Sequence, residues 1–343
     1  MIMRHLIMLF FTLTLSLGAF AQEYMIMVKS ADSKDWGFIN LKGEFVIKPQ
    51  FSTCNPFSEG LALVFLPREN QYGFVNARGE IMLPNVDKIK HVRSFSDGRA
   101  AIMPNKLWGF IDTNGDLVIE AKYSEMTDFY GGYAAVKRDK EFFVIDRQGN
   151  ETPIDIVDIK GVKHFSEGLA PYYDSNKLFG LIDTQGNVVV PAQFASMGYF
   201  CDGLAWAKEN FGKIGYINKK GEWAVQPQFT MAYDFDKSSG LARVKGDDGW
   251  VYVNKDGETI SMDNTDIWGD FHEGLSKGRL GELMGFYNAN MEYEIEPQFE
   301  NVRDFKNGHA AARKNFKWGI IDKNGNWVII PIFDGIRDVE LAP

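Results

Sequence analysis

One motif recurs along this chain. Trp36-Gly37-Phe38-Ile39-Asn40, followed by Gly43 and the run Glu44-Phe45-Val46-Ile47, returns as Tyr72-Gly73-Phe74-Val75-Asn76 with Gly79. It returns again as Trp108-Gly109-Phe110-Ile111-Asp112 with Gly115 and as Trp318-Gly319-Ile320-Ile321-Asp322 with Gly325, and weaker copies begin at Phe142, Phe179, Ile214, Trp250 and Met284. The spacing is about 36 residues, a period typical of tandem arrays. A unit this small cannot bury an apolar face alone and must stack on its neighbours. Repetition therefore overrides the two or three ordinary domains that 343 residues would suggest.

Each unit reads as a three-stranded antiparallel meander. The fifth motif position is always Asn or Asp, with Gly three residues later except at Met291. Asn/Asp-x-x-Gly between β-branched and aromatic runs is a hairpin: the side chain caps the turn and Gly takes the left-handed conformation. A strand precedes each hairpin, as in Gly60-Leu61-Ala62-Leu63-Val64 and Gly132-Tyr133-Ala134-Ala135-Val136. Units begin near residues 24, 60, 98, 132, 168, 203, 240, 274 and 308. The connectors have a period of three: Phe51, Cys54, Phe57; Tyr123, Met126, Phe129; and finally Phe333, Ile336, Val339. That spacing fits either a short 3₁₀ turn or an irregular extended segment with one buried side.

The expected fold is all-β, a tandem array of nine three-stranded units. The chain begins and ends in the same phase with every unit whole, which favours an open superhelical array over a closed, propeller-like ring. The units resemble the WG-repeat family of bacterial tandem β-repeats, on the strength of the Trp-Gly strand, the x-x-Gly turn and the F-x-x-G-L-A block. The resemblance spans residues 22–343 and departs most in unit four, at Phe142-Phe143 and Thr152-Pro153, and in unit eight. It implies a binding or scaffolding role.

Residues 1–21 read as an export signal. Arg4 and His5 precede the apolar stretch Leu6 to Leu17, and Ala19-Phe20-Ala21 supplies a cleavage site, giving an expected mature start at Gln22. The stretch is shorter than the ~20 residues of a bilayer span. No later segment is long and apolar enough to cross a membrane, so the expected location is the periplasm or the extracellular space. A formal charge of −9 without a basic run longer than a pair such as Lys219-Lys220 excludes nucleic acid as a partner.

Chemistry-bearing motifs are sparse. Asp112-Thr113-Asn114-Gly115-Asp116 imitates a calcium loop, but its twelfth position is Tyr123, where such a loop needs a carboxylate. It reads as a plain turn. His91, His164, His272 and His309 fall in different units without metal spacing, and no nucleophile elbow occurs. The expectation is a protein that is not an enzyme and has no metal or cofactor. Cys54 and Cys201 are expected to be free thiols, four units apart at positions that are not equivalent.

Trp36, Trp108, Trp250 and Trp318 share one column and read as core, as do Trp223, Trp268 and Trp327. Trp206 instead belongs to a mixed column that admits Arg243 and Lys277 in the next two units. Lone cations do not suit a buried face, so this column reads as outward-facing. Trp206, Arg243 and Lys277 form the candidate binding stripe, fit for an acidic peptide or charged glycan. The bland alternative is a Trp covered by its own connector. The functional expectation is an exported protein-interaction scaffold, with a glycan or peptidoglycan binder as the alternative and a glycoside-active enzyme as a remote one.

Overall fold

The computed structural model describes residues 24–29, 34–67, 69–86, 89–210, 212–262 and 268–342. The export signal expected at residues 1–21 lies outside them. The described residues form nine four-stranded antiparallel sheets. Blade two is typical: Cys54–Ser58, Leu61–Leu66, Gln71–Asn76 and Ile81–Met82 pair in sequence order. Its first strand is the connector with period three. That segment is therefore the extended alternative rather than a 3₁₀ turn, and it adds a fourth strand to the blade, so the three-stranded unit is corrected to four strands.

The same fact closes the ring. The last connector, Gly335–Leu341, has no blade of its own to open and pairs with Tyr24–Lys29, setting Val339 opposite Ile26 and Ile336 opposite Val28. Blade one thus takes one strand from the C-terminal end and three, Tyr24–Lys29, Trp36–Ile39 and Phe45–Phe51, from the other. The array is a closed nine-bladed β-propeller, and the open superhelix is overturned. The matching phase of the two ends is compatible with closure because the last connector is itself a strand and completes blade one.

The core is divided among the seams between blades. Each of the nine seams holds its own apolar cluster, including one joining blade nine to blade one through Ala311, Ile320, Ile26 and Val339. An aromatic in or just past the first strand of one blade packs on the third strand of the blade before it, as in Phe57 on Phe38 and Phe129 on Phe110, centroids 4.8 and 5.0 Å apart. That contact explains the period: the third residue of each triplet enters the seam.

The glycine of the repeated Trp-Gly pair has a steric cause. A Cβ at Gly37, Gly109, Gly180, Gly215, Gly285 or Gly319 would lie under 3.0 Å from a carbonyl oxygen of the fourth strand. In these six blades that strand is seven residues long and bulges against the third. Blades four and seven carry Phe143 and Val251 there, and their fourth strands shrink to Glu151–Pro153 and Thr259–Ile260 without a bulge. Gly is what admits the bulge. Trp36, Trp108, Trp250 and Trp318, expected in the core, are only half-buried. Each begins or nearly begins its third strand, at a margin of the sheet where packing covers one side.

Alternating strand direction gives the ring two distinct ends. The turns between first and second strands share one end with the Asn/Asp-x-x-Gly turns. There the acids staple consecutive blades: Glu59 accepts the Asp97 and Gly98 amides at 2.5 and 2.7 Å, and Glu273 accepts those of Asn307 and Gly308 at 2.6 and 2.9 Å. Cations of the Asn/Asp-x-x-Gly turns close on such acids, as Lys323 does on Glu273 at 3.5 Å and Arg147 on Asp97 at 2.8 Å.

Candidate functional site: the inner wall of the ring

The first strands line the inside of the ring. Their side chains reach from blade to blade, whereas the fourth strands expose apolar residues such as Leu117, Val188 and Ile330 at the outer rim. Seam hydroxyls show the inner contacts: Ser58 donates to the Phe95 carbonyl at 2.7 Å and Ser96 to that of Phe129 at 2.6 Å.

The residue before the seam side chain is Asp in five blades: Asp128, Asp234, Asp270 and Asp304 precede an aromatic, and Asp338 precedes Val339. Each meets a donor from the preceding blade. Arg93 binds Asp128 through two hydrogen bonds of 2.7 and 2.6 Å. Arg243 Nε donates to Asp270 at 2.6 Å, and Lys277 pairs with Asp304 at 2.8 Å. Arg303 stands 3.6 Å from Asp338, and Trp206 is the hydrogen-bond donor to Asp234. Burial, with Asp270 nearby, raises the Asp234 carboxyl, and the Trp206 bond only partly offsets this.

Trp206, Arg243 and Lys277 are therefore brought together in one register, but not on an outward face. Their column is buried in the seams at Met27, Leu63, Ala101, Ala135 and Ala311, and the three themselves are half-buried. Trp206 lies over Gly198 of its own connector, where a Cβ would strike the indole. Arg243 is sandwiched near Tyr233 and Trp250, 4.3 and 4.6 Å from the ring centroids. The cations tolerate the seam because the next blade brings an Asp, a pairing across non-adjacent sequence.

Sequence reasoning did not single out the acid partners. Their signal was nonetheless present, as Asp before the seam aromatic at 128, 234, 270 and 304.

A cavity of about 510 Å³ opens on the inner wall of blades two to four, lined by Asn55, Arg93, Ser94, Asp128 and Tyr130 among others. Beyond it the aromatics continue: Tyr130 lies 4.7 Å from His164, which stacks on Tyr199 at 3.6 Å with planes 20° apart. Burial lowers the His164 imidazole; Asp128 opposes this and Lys163 adds to it. The expected calcium look-alike is a self-contained turn, because Asp112 accepts the Asn114 and Asp116 amides at 2.9 and 3.1 Å. Among the described residues no three His, Cys, Asp or Glu gather to hold a metal. Cys54 and Cys201 are free. Cys54 lies against Met27 Sδ at 2.9 Å, and burial pushes its thiol up to about 12 against the opposing influence of Arg337.

No helix among the described residues is long and apolar enough to cross a membrane. No curated protein matches the chain. Among solved structures it is similar to a crystal structure of the eukaryotic initiation factor, with TM-score 0.62 and 11% identity over 94% of this chain and 99% of that one. At that identity the likeness shows the fold alone. Weaker likenesses are the computationally designed Ika8 protein (TM-score 0.44, 13% identity, 88% of this chain and 92% of that one) and BamB from Moraxella catarrhalis (0.42, 13%, 80% and 91%). The model of the WG containing repeat matches residues 36–66, 108–141, 179–213, 214–250, 284–318 and 318–340. These six matches begin in the six blades where glycine admits the bulged fourth strand. With more than half of its length so matched, the chain belongs to the WG containing repeat family.

Proposed function

We propose that this chain is an exported, non-catalytic scaffold that binds a protein partner in the cell envelope through one end of its ring. The observation that carries the reading is the contrast between the two ends. At the turn end, acids and cations staple blade to blade. The opposite end, made by the hairpins between second and third strands and by the connections between blades, exposes apolar side chains. Phe316 is 76% exposed, Leu280 57% and Val157 85%, with Leu83, Leu107 and Leu283 at the same end. Exposed apolar residues on a rigid frame suit a protein interface. A ring braced by nine seams holds that surface still, which lowers the ordering cost of binding.

The test is cross-linking in intact cells, comparing wild type with a Leu280→Asp/Phe316→Asp double variant. Loss of the cross-linked species at unchanged melting temperature supports the scaffold; the same species at the same yield removes it. Export has its own measurement: the intact mass of envelope protein should correspond to a chain starting at Gln22, and a retained Met1 would defeat it.

A further inference from the structure

The inner wall changes character between blades three and six. Blades four, seven, eight and nine place Asp before the seam aromatic and blade one places it before Val339, but blade five places His164 there and blade six Tyr199. With Tyr130 of blade four, these form a ladder of three rings on consecutive blades. Tyr130 ends the ladder, is 44% exposed, and also lines the 510 Å³ cavity. That volume lies within the range of small-ligand sites.

The cavity's polar groups are of mixed kind and without net charge. Asn55 Nδ2 donates to Ser94 Oγ at 3.0 Å, which leaves the Ser94 proton to be given. The Asn55 carbonyl and the Tyr130 hydroxyl have no hydrogen-bond partner among the described residues. Arg93, the cation of the cavity, is held by both oxygens of Asp128. A phosphate or carboxylate would have to displace that carboxylate, so an anion is disfavoured.

We propose that the cavity and the ladder are one binding site for a neutral carbohydrate, with a pyranose ring seated on Tyr130. A pyranose presents C–H bonds on its face and hydroxyls around its edge. The ring of Tyr130 takes the face, while Asn55, Ser94 and the Arg93–Asp128 pair take the edge. His164, held between Tyr130 and Tyr199, backs the Tyr130 ring from the side away from the sugar. This site lies on the inner wall and does not depend on the scaffold reading, which concerns the hairpin end.

The experiment presents the full chain to an array of neutral and acidic oligosaccharides and acidic peptides, then measures the best neutral glycan by calorimetry. The expected result is binding of a neutral glycan that Tyr130→Ala weakens at least about tenfold and Tyr130→Phe by less than about threefold, at unchanged melting temperature. Asn55→Leu, on another blade, weakens the same glycan, which keeps the test decisive if Tyr130→Ala melts early. Binding of acidic glycans or peptides alone, no binding of any neutral glycan, or full affinity in both Tyr130→Ala and Asn55→Leu overturns the site.

Discussion

Val339 stands opposite Ile26 in the sheet of blade one, joining the two ends of the described chain. Both side chains are buried in the seam that blade one shares with blade nine. The ring is held shut by this strand, so Val339→Asp, which leaves an unpaired charge there, should cost roughly 3–5 kcal/mol. Urea denaturation measures the loss, and an unchanged midpoint would show that the ring does not depend on its closing strand.

The glycines separate two kinds of strain. Gly319→Ala drives a Cβ into the Ile329 carbonyl and the Trp327 ring, with a cost of roughly 2–4 kcal/mol. Gly98 has φ of +73° but nothing within 4 Å, so Gly98→Ala should cost only about 1 kcal/mol. Equal losses in the two variants would contradict the steric account of the Trp-Gly pair.

Trp206→Phe keeps a ring over Gly198 but removes the hydrogen bond to Asp234. Burial and Asp270 already raise that carboxyl, and without the donor it rises further. A carboxyl with a folded pKa above its unfolded value lowers native stability at neutral pH and restores it as pH falls through the folded value. The deficit of Trp206→Phe should therefore narrow as pH drops from neutral toward the ordinary Asp value of about 4. Thermal melts across that range decide it, and a deficit that does not vary with pH counts against the pair.

At Asp322, slight desolvation is outweighed by the amides of Asn326 and Asn324 and by their side chains, and the carboxyl is held low. Its contribution is full above the unfolded value and is lost as pH falls through the lowered folded one. Asp322→Asn should keep the turn, as Asn40 and Asn76 do in their units, and abolish the acid titration of the Asn324 amide in NMR spectra. EDTA should leave the melting temperature unmoved; a fall would restore the calcium reading.

Both thiols should alkylate after unfolding without reductant. In the native protein at pH 8, Cys54, with a pKa of about 12, should resist. Mass spectrometry of labelled peptides reads both results, and a pair that fails to label when unfolded would reveal a disulfide.

The sequence by itself determined what is local. Asn40 and Gly43 specify their turn through bonds spanning a few residues, and Phe57 and Phe129 announce the seams by spacing alone. Repetition then fixed the number of blades, since every copy makes the same local structure. Ring closure was decided only in three dimensions. Phe333-Ile336-Val339 has the same pattern as every other connector, and its partner, Ile26, lies at the far end of the chain. Likewise Arg243 and Lys277 looked unpaired because Asp270 and Asp304 reach them only when neighbouring blades pack. The His164–Tyr199 stack joins residues in different blades, in a column that holds Asp in five others. A side chain's neighbours across a seam are set by how whole blades twist and close, and no spacing within one strand encodes that geometry.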